Sequence, residues 1–180
     1  DHLIVCAEAR FRRLIFAGAI GSLVTKYAVG ALCTPERCIS GSAALSYLGE
    51  RITGETLFQS VYPDPSYVEH VIELAATRGY VLERAPVFCT DSISAEYSHL
   101  DEIRQTGAEL IEMETAAFYT LAELLEVPAV ALLAVSDNSA TGDPLLGRGE
   151  ELDRRYKAVR NRAIPELICA IAAEGRSEEH

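Results

Sequence analysis

The sequence predicts an α/β chain: a three-layer αβα arrangement with a central mixed, mostly parallel sheet covered by helices on both faces. Three observations point there. Leu14–Ala17, Val87–Cys89 and Pro128–Val135 are near-continuous apolar runs, the pattern of strands buried on both sides. Segments with helical caps and apolar residues at three- and four-residue steps alternate with them. The 180 residues, 49% of them apolar, carry no low-complexity tract, repeat or linker, which suits a single domain over residues 1–180 with its own core.

Taken in order, Asp1–Cys6 (DHLIVC) enters at full hydrophobicity with no initiator Met, as though cut from inside a longer chain. Leu14–Ala17 reads as a buried strand running into a tight loop, Gly18-Ala19-Ile20-Gly21-Ser22. Val29–Thr34 is a second strand, stopped by Pro35. A helix begins near Asp64-Pro65, with Ser66 and Glu69 at capping-box spacing, and runs to Arg78 with Gly79 as a left-handed cap. His70 and Glu73 fall on its wet face. Val81-Leu82 and Val87–Cys89 follow as strands. After them come a strand over Glu109–Met113, a helix over Thr115–Glu126 and the long strand Pro128–Val135. The last helix spans about Glu151–Ala173 and should kink or split at Pro165.

Composition excludes several function classes. The formal charge of −11, with no basic stripe to offset it, repels nucleic acid. No apolar run is long enough for a bilayer, so no membrane role is expected. Cys6, Cys33, Cys38, Cys89 and Cys169 are odd in number with no CxxC pair, which suits reduced, mostly buried thiols in a cytoplasmic protein and gives no metal-ligand spacing.

In sheets of this class ligands lie beyond the carboxyl ends of the strands. Three strand ends carry polar groups: Thr90-Asp91-Ser92, Glu112-Met113-Glu114 and Ser136-Asp137-Asn138. Glu112 and Glu114, two apart on a strand, would share a face, where they suit a ribose diol; equally, both acids would favour the positive end of the helix that follows. Asp137 follows the longest apolar run, so desolvation should raise its pKa toward general-acid range, unless Ser136–Ser139 is simply a turn. Asp91 fits a local turn better than a site. Gly18, Ala19 and Gly21 offer backbone N–H groups for an anion or sugar oxygen, although a plain turn is the simpler reading. The glycine loop lacks GxGxxG spacing and no acid lies about 20 residues on, which argues against a dinucleotide binder.

The EMExAA segment at Glu112–Ala117, VSDN at Val135–Asn138 and GxxGSL at Gly18–Leu23 resemble the nucleoside phosphorylase/nucleosidase family, in the family's order and over nearly the whole chain. The resemblance implies cleavage of the N-glycosidic bond of a purine-leaning nucleoside, nominally by phosphorolysis. Inorganic phosphate would be the co-substrate, no cofactor is implied, and the chain would form a homo-oligomer. It implies Glu114 on the ribose hydroxyls, Met113 as the apolar floor and Glu112 as a supporting acid. Asp137 would be the acid at purine N7, with Ser136 beside it, and the stretch holding Phe88, Cys89, Thr90 and Ile93 would face the base. The small-molecule partners are therefore a nucleoside and its base.

The departures are specific. Phe16 stands where phosphorolytic relatives carry an Arg, and Ala19 where they carry a phosphate-contacting Ser or Thr. The family's first strand and early glycine loop have no counterpart, so the chain reads as N-terminally truncated relative to the family. Arg37 and Arg148 are the remaining candidates for an anion. These departures admit two alternatives to a phosphorylase, a phosphate-independent nucleosidase and a nucleoside-binding member without turnover.

Overall fold

The structure, a computed structural model, describes residues 11–47 and 54–177. The hydrophobic start at Asp1–Cys6 lies outside the described residues. The strands are β1 (Leu14–Ser22), β2 (Leu32–Ser40), β3 (Ser60–Val61), β4 (Glu83–Cys89), β5 (Leu110–Glu112) and β6 (Ala129–Asn138). The α-helices are α1 (Pro65–Thr77), α2 (Ile93–Glu96), α3 (Leu100–Gln105), α4 (Thr115–Leu124), α5 (Glu150–Ala158) and α6 (Ile164–Ser177).

Strand order is β3-β2-β4-β5-β1-β6, and β2 pairs with β6 as well. The ladders β1–β6, β2–β4 and β4–β5 are parallel; β1–β5, β2–β3 and β2–β6 are antiparallel and short. The mixed α/β class therefore holds. What the open layered expectation does not contain is closure: Leu32 and Cys33 at the start of β2 reach Ala134 and Leu133 of β6, so five strands form a ring with β3 at its outer edge. Register shifts at Pro35/Arg37 in β2 and at Ile20/Gly21 in β1 supply local bends, as bulges do.

The long apolar strand β6 shows why its sequence lacks alternation. Val130, Leu132 and Ala134 face a cluster with Val68 and Val71 of α1, Tyr156 of α5 and Leu167 and Ile171 of α6. Ala131, Leu133 and Val135 join a second cluster with Cys33, Val87, Leu110 and α4. Each fully buried Val or Leu contributes about 1.5–3 kcal/mol, so this strand is the centre of the core. A third cluster, Leu23, Ile39, Phe88, Ile103, Ala108 and Ile111, seats α3.

Several expected boundaries move, each for a tertiary reason. Gly18–Ser22 is not a loop; it continues β1, which runs beside β6 along its whole length. Pro35 does not stop β2, because the bulge leaves Glu36 out of the ladder with β4 and absorbs the missing N–H. The N-cap of α1 is Asp64, whose carboxylate accepts from Ser66 N at 2.8 Å and Tyr67 N at 3.0 Å; Ser66 and Glu69 form no capping box. Gly79 does take the left-handed conformation, at φ +79°. Val81-Leu82 precedes β4 rather than forming a strand. The final helix is interrupted by a π turn over Val159–Ala163, just ahead of Pro165, which widens the turn where proline cannot donate. His70 and Glu73 are exposed, and His70 pairs with Glu174 at 2.8 Å. Cys33, Cys38 and Cys89 are buried free thiols, Cys169 is exposed, and Cys6 lies outside the described residues.

Candidate active site

The carboxyl ends of β1, β4, β5 and β6 converge on a cavity of ≈ 260 Å³. β1 supplies Ala19, Ile20 and Gly21; Thr90 follows β4; Ile111 and Glu112 end β5, with Met113 and Glu114 beyond; Ser136 and Asp137 come from β6. Ile93 and Tyr97 close it from α2 and the turn after it, and Leu145 from the loop after β6. The volume lies near the lower end of the roughly 300–1,000 Å³ usual for small-molecule sites.

Asp137 owes its aim to the bulge. Ile20 of β1 pairs with Val135 and Gly21 with Asp137, so Ser136 is the extra residue on β6. A regular strand would turn neighbours to opposite faces; here Ser136 and Asp137 both line the cavity. The Ser136 hydroxyl donates to Asp137 Oδ1 at 2.6 Å. Gly21 leaves room for the other oxygen: a Cβ there would stand 3.0 Å from Asp137 Oδ2. Burial raises the Asp137 pKa above its ordinary value, opposed by the Ser136 hydrogen bond and by the nearby Arg148 guanidinium.

The two glutamates, expected to act as a pair, separate. Glu112 is 7% exposed and turns its carboxylate to the start of α4. Its Oε2 accepts from Glu114 N at 2.7 Å and Thr115 N at 2.9 Å; its Oε1 accepts from the Thr115 hydroxyl and the Cys89 thiol, both at 2.8 Å. This carboxylate caps a helix, where the N–H groups and the helix dipole stabilise it. Glu114 is the N-cap residue by position but makes no side-chain cap bond, which leaves its carboxylate to the cavity. Burial first, and then repulsion from Glu112, raise its pKa.

The Cys89 thiol stays protonated. Its hydrogen bond with Cys38 and its burial push its pKa far up, so it donates to Glu112 while accepting from Ala116 N at 3.2 Å. Cys89 is therefore support behind the site rather than a base contact, and it does not line the cavity. Phe88 does not line it either. Its ring packs over Gly41, where a Cβ would come within 2.3 Å of Phe88 Cζ. Gly18 also lies outside, beside Leu133 and the Phe16 ring. Phe16 stacks against Phe118 of α4, with ring centroids 5.5 Å apart. Asp91 accepts from Ala43 N at 3.0 Å, a link to a segment 48 residues away rather than a local turn.

Neither candidate arginine is at hand for an anion. Arg37 reaches Ser60 and the Thr106 carbonyl, away from the cavity. Arg148 donates from Nη1 to the carbonyls of Ser136 at 2.9 Å and Leu145 at 2.8 Å, tying the loop after β6 to the strand that carries Asp137.

The family model described as the phosphorylase superfamily matches residues 2–169. The chain belongs to the phosphorylase superfamily. Among curated relatives, a DeoD-type purine nucleoside phosphorylase of Geobacillus stearothermophilus is 34% identical over 71 residues, 39% of this chain and 30% of that protein. The corresponding Bacillus subtilis (strain 168) enzyme is 30% identical over 80 residues, 44% of this chain and 34% of its own length. The matched stretches thus span about a third of these relatives. Among solved structures, Helicobacter pylori MTAN superposes with TM-score 0.71 at 16% identity, covering 96% of this chain and 73% of that one. AMP nucleosidase from Bacteroides thetaiotaomicron VPI-5482 gives TM-score 0.68 at 19% identity, covering 99% and 68%. At such identities these structures establish the shared superfamily fold.

Of the residues singled out in the sequence, Glu112, Met113, Glu114, Thr90, Ile93, Ser136, Asp137, Ala19 and Gly21 come together around this cavity. Tyr97, Leu145, Ile20 and Ile111 join them without having been anticipated. Only Tyr97 carried a signal: it lies four residues after Ile93, one helical turn on.

Proposed function

We propose that this chain cleaves the N-glycosidic bond of a purine nucleoside with water as the acceptor. The observation that carries the reading is that Glu114 and Asp137 line one cavity from different strand ends, with Met113 in the same lining. In the cleavage step the C1′–N9 bond breaks and its electron pair passes to the base. Asp137, kept protonated further toward neutral pH by burial, supplies the proton at N7. Glu114 accepts from the ribose hydroxyls, and its charge lies near the sugar as the sugar becomes oxocarbenium-like. Water then adds at C1′ and gives its proton to solvent, from which the ionised Asp137 is reprotonated for the next turnover.

Water is favoured over phosphate because no Lys, Arg or His lines the cavity among the described residues, whereas the carboxylates of Glu114 and Asp137 open onto it. A phosphate dianion would enter an acidic site unaided. Base release from adenosine, inosine and guanosine, measured with and without added phosphate, tests this. Equal rates are expected. A rate that requires phosphate restores the phosphorolytic reading, and intact nucleosides beside a base-induced rise in melting temperature would leave only binding.

The reading also includes self-association. Phe58, 64% exposed and held at φ 61°, and Tyr62, 65% exposed, lie with Tyr47 and Leu124 among large apolar side chains open to solvent. Exposed aromatic groups of this size commonly mark an interface. Light scattering should return a multiple of 19.6 kDa, and Phe58→Asp with Tyr62→Asp should shift it toward the single chain. A monomeric parent protein would remove the proposal. No helix among the described residues is long and apolar enough to cross a membrane.

A further inference from the structure

We infer that the Cys89 thiol and the Thr115 hydroxyl are positioning groups for the reaction: acting through Glu112, they fix the turn that presents Glu114 to the sugar. The inference rests on the nucleoside reading above. Neither side chain lines the cavity, so neither touches a ligand held there. Each instead donates to Glu112 Oε1, at 2.8 Å in both cases.

The main chain gives this turn little support of its own. β5 is three residues long, and its ladder with β1 pairs Gly21 with Ile111 and Ser22 with Leu110, stopping short of Glu112. On the other side β4 pairs Cys89 with Glu112, and Thr90 N donates to the Glu112 carbonyl at 2.8 Å. The ladder ends there, and α4 begins at Thr115. Between them the backbone of Glu114 is held by a side chain, since its N–H donates to Glu112 Oε2 at 2.7 Å. Where that carboxylate sits therefore decides where Glu114 sits.

The two donors are fixed in turn. The Thr115 hydroxyl accepts from the Cys38 thiol of β2 at 3.2 Å, and Cys89 Sγ accepts from Ala116 N at 3.2 Å. Cys38, Cys89 and Thr115 are all buried. Side chains from β2, β4 and α4 thus converge on one carboxylate of β5. A buried polar network of this kind is stiff, and a displacement in it passes to the group it supports. Groups that act only through Glu114 matter only to a ligand that Glu114 touches, which separates positioning from packing.

The test compares Cys89→Ala and Thr115→Val with wild type for kcat/KM with adenosine and for inhibition by 2′,3′-dideoxyadenosine, which has no diol. Each substitution is expected to lower kcat/KM for adenosine about tenfold, the worth of one hydrogen bond to a carboxylate, and to leave the Ki of the dideoxynucleoside unchanged. Made in a Glu114→Gln protein, each should cost no more than about a further twofold, because its effect runs through the group already removed. Cys89→Ser keeps a donor and an acceptor and should recover most of the loss. Thr115→Val keeps the shape of threonine, so it decides the matter even if melting shows that Cys89→Ala does not fold. Equal losses for adenosine and the dideoxynucleoside, or full additivity with Glu114→Gln, would overturn the inference while the nucleoside reading stands. Unchanged kcat/KM in both variants would do the same. If wild type cleaves no nucleoside, the reading and the inference fall together.

Discussion

Asp137→Asn lowers kcat by about 10²–10⁴-fold, the usual contribution of a positioned general acid. The substitution keeps the shape and still accepts the Ser136 hydroxyl, but it has no acidic proton to give to a leaving base. KM should change little. The wild-type rate should fall as pH rises through the raised Asp137 pKa, because the protonated form is the active one, and the Asn variant should lose that limb.

Stability gives an independent reading of the same group. A carboxyl whose folded pKa lies above its unfolded value costs stability wherever it is ionised, fully above the folded pKa and not at all below the unfolded one. Asp137→Asn should therefore melt higher than wild type near neutral pH. The gap should close as pH falls through the folded pKa toward about 4, the unfolded carboxyl range. Glu114→Gln should show the same pattern, since burial and Glu112 raise its pKa too. A variant at residue 137 that retains wild-type kcat would end the assignment of this group as proton donor.

Glu112→Ala destabilises the protein on the order of 3 kcal/mol. The carboxylate satisfies the N–H groups of Glu114 and Thr115, the Thr115 hydroxyl and the Cys89 thiol, all in a buried setting. Removing it leaves those donors without an acceptor, at about 1–3 kcal/mol for each unsatisfied group before relaxation, and deletes the cap of α4. For a chain of this size that corresponds to a fall in melting temperature of roughly 6–12 °C. Gln is a poor rescue: it supplies one acceptor oxygen and sets its NH₂ against a backbone N–H. Activity should fall as well, because Glu114 is presented by the turn that Glu112 holds. Calorimetry of Glu112→Ala and Glu112→Gln checks this; a shift under about 2 °C for both would show that the helix start does not depend on the carboxylate.

The two predictions rest on features of different legibility. Asp137 was legible because an apolar strand ending in a carboxylate is a local pattern. The opposed roles of Glu112 and Glu114 were not, since two acids flanking one methionine look alike until the chain turns. β5 ends at Glu112 and α4 begins at Thr115, so one side chain folds back onto N–H groups while the other remains open. Cys89 was misread for a related reason: its strand position is right, but its side chain points behind the site to Glu112. Gly18 and Gly21 suggested a loop because glycines often do, whereas here they make room for Phe16 and for the Asp137 carboxylate within a strand.

By itself the sequence determined the α/β class, the buried character of β6, the helix that starts near Asp64-Pro65 and ends at Gly79, and the three polar strand ends that gather at the cavity. Each depends on residues close together in the chain, where side-chain period and capping chemistry act directly. Tertiary structure alone decided the closure of the sheet through β2 and β6, the bulge that aims Asp137, the division of labour between the glutamates and the arrival of Tyr97. Each of these is settled by contacts between segments distant in sequence, through strand register and packing that no local pattern encodes.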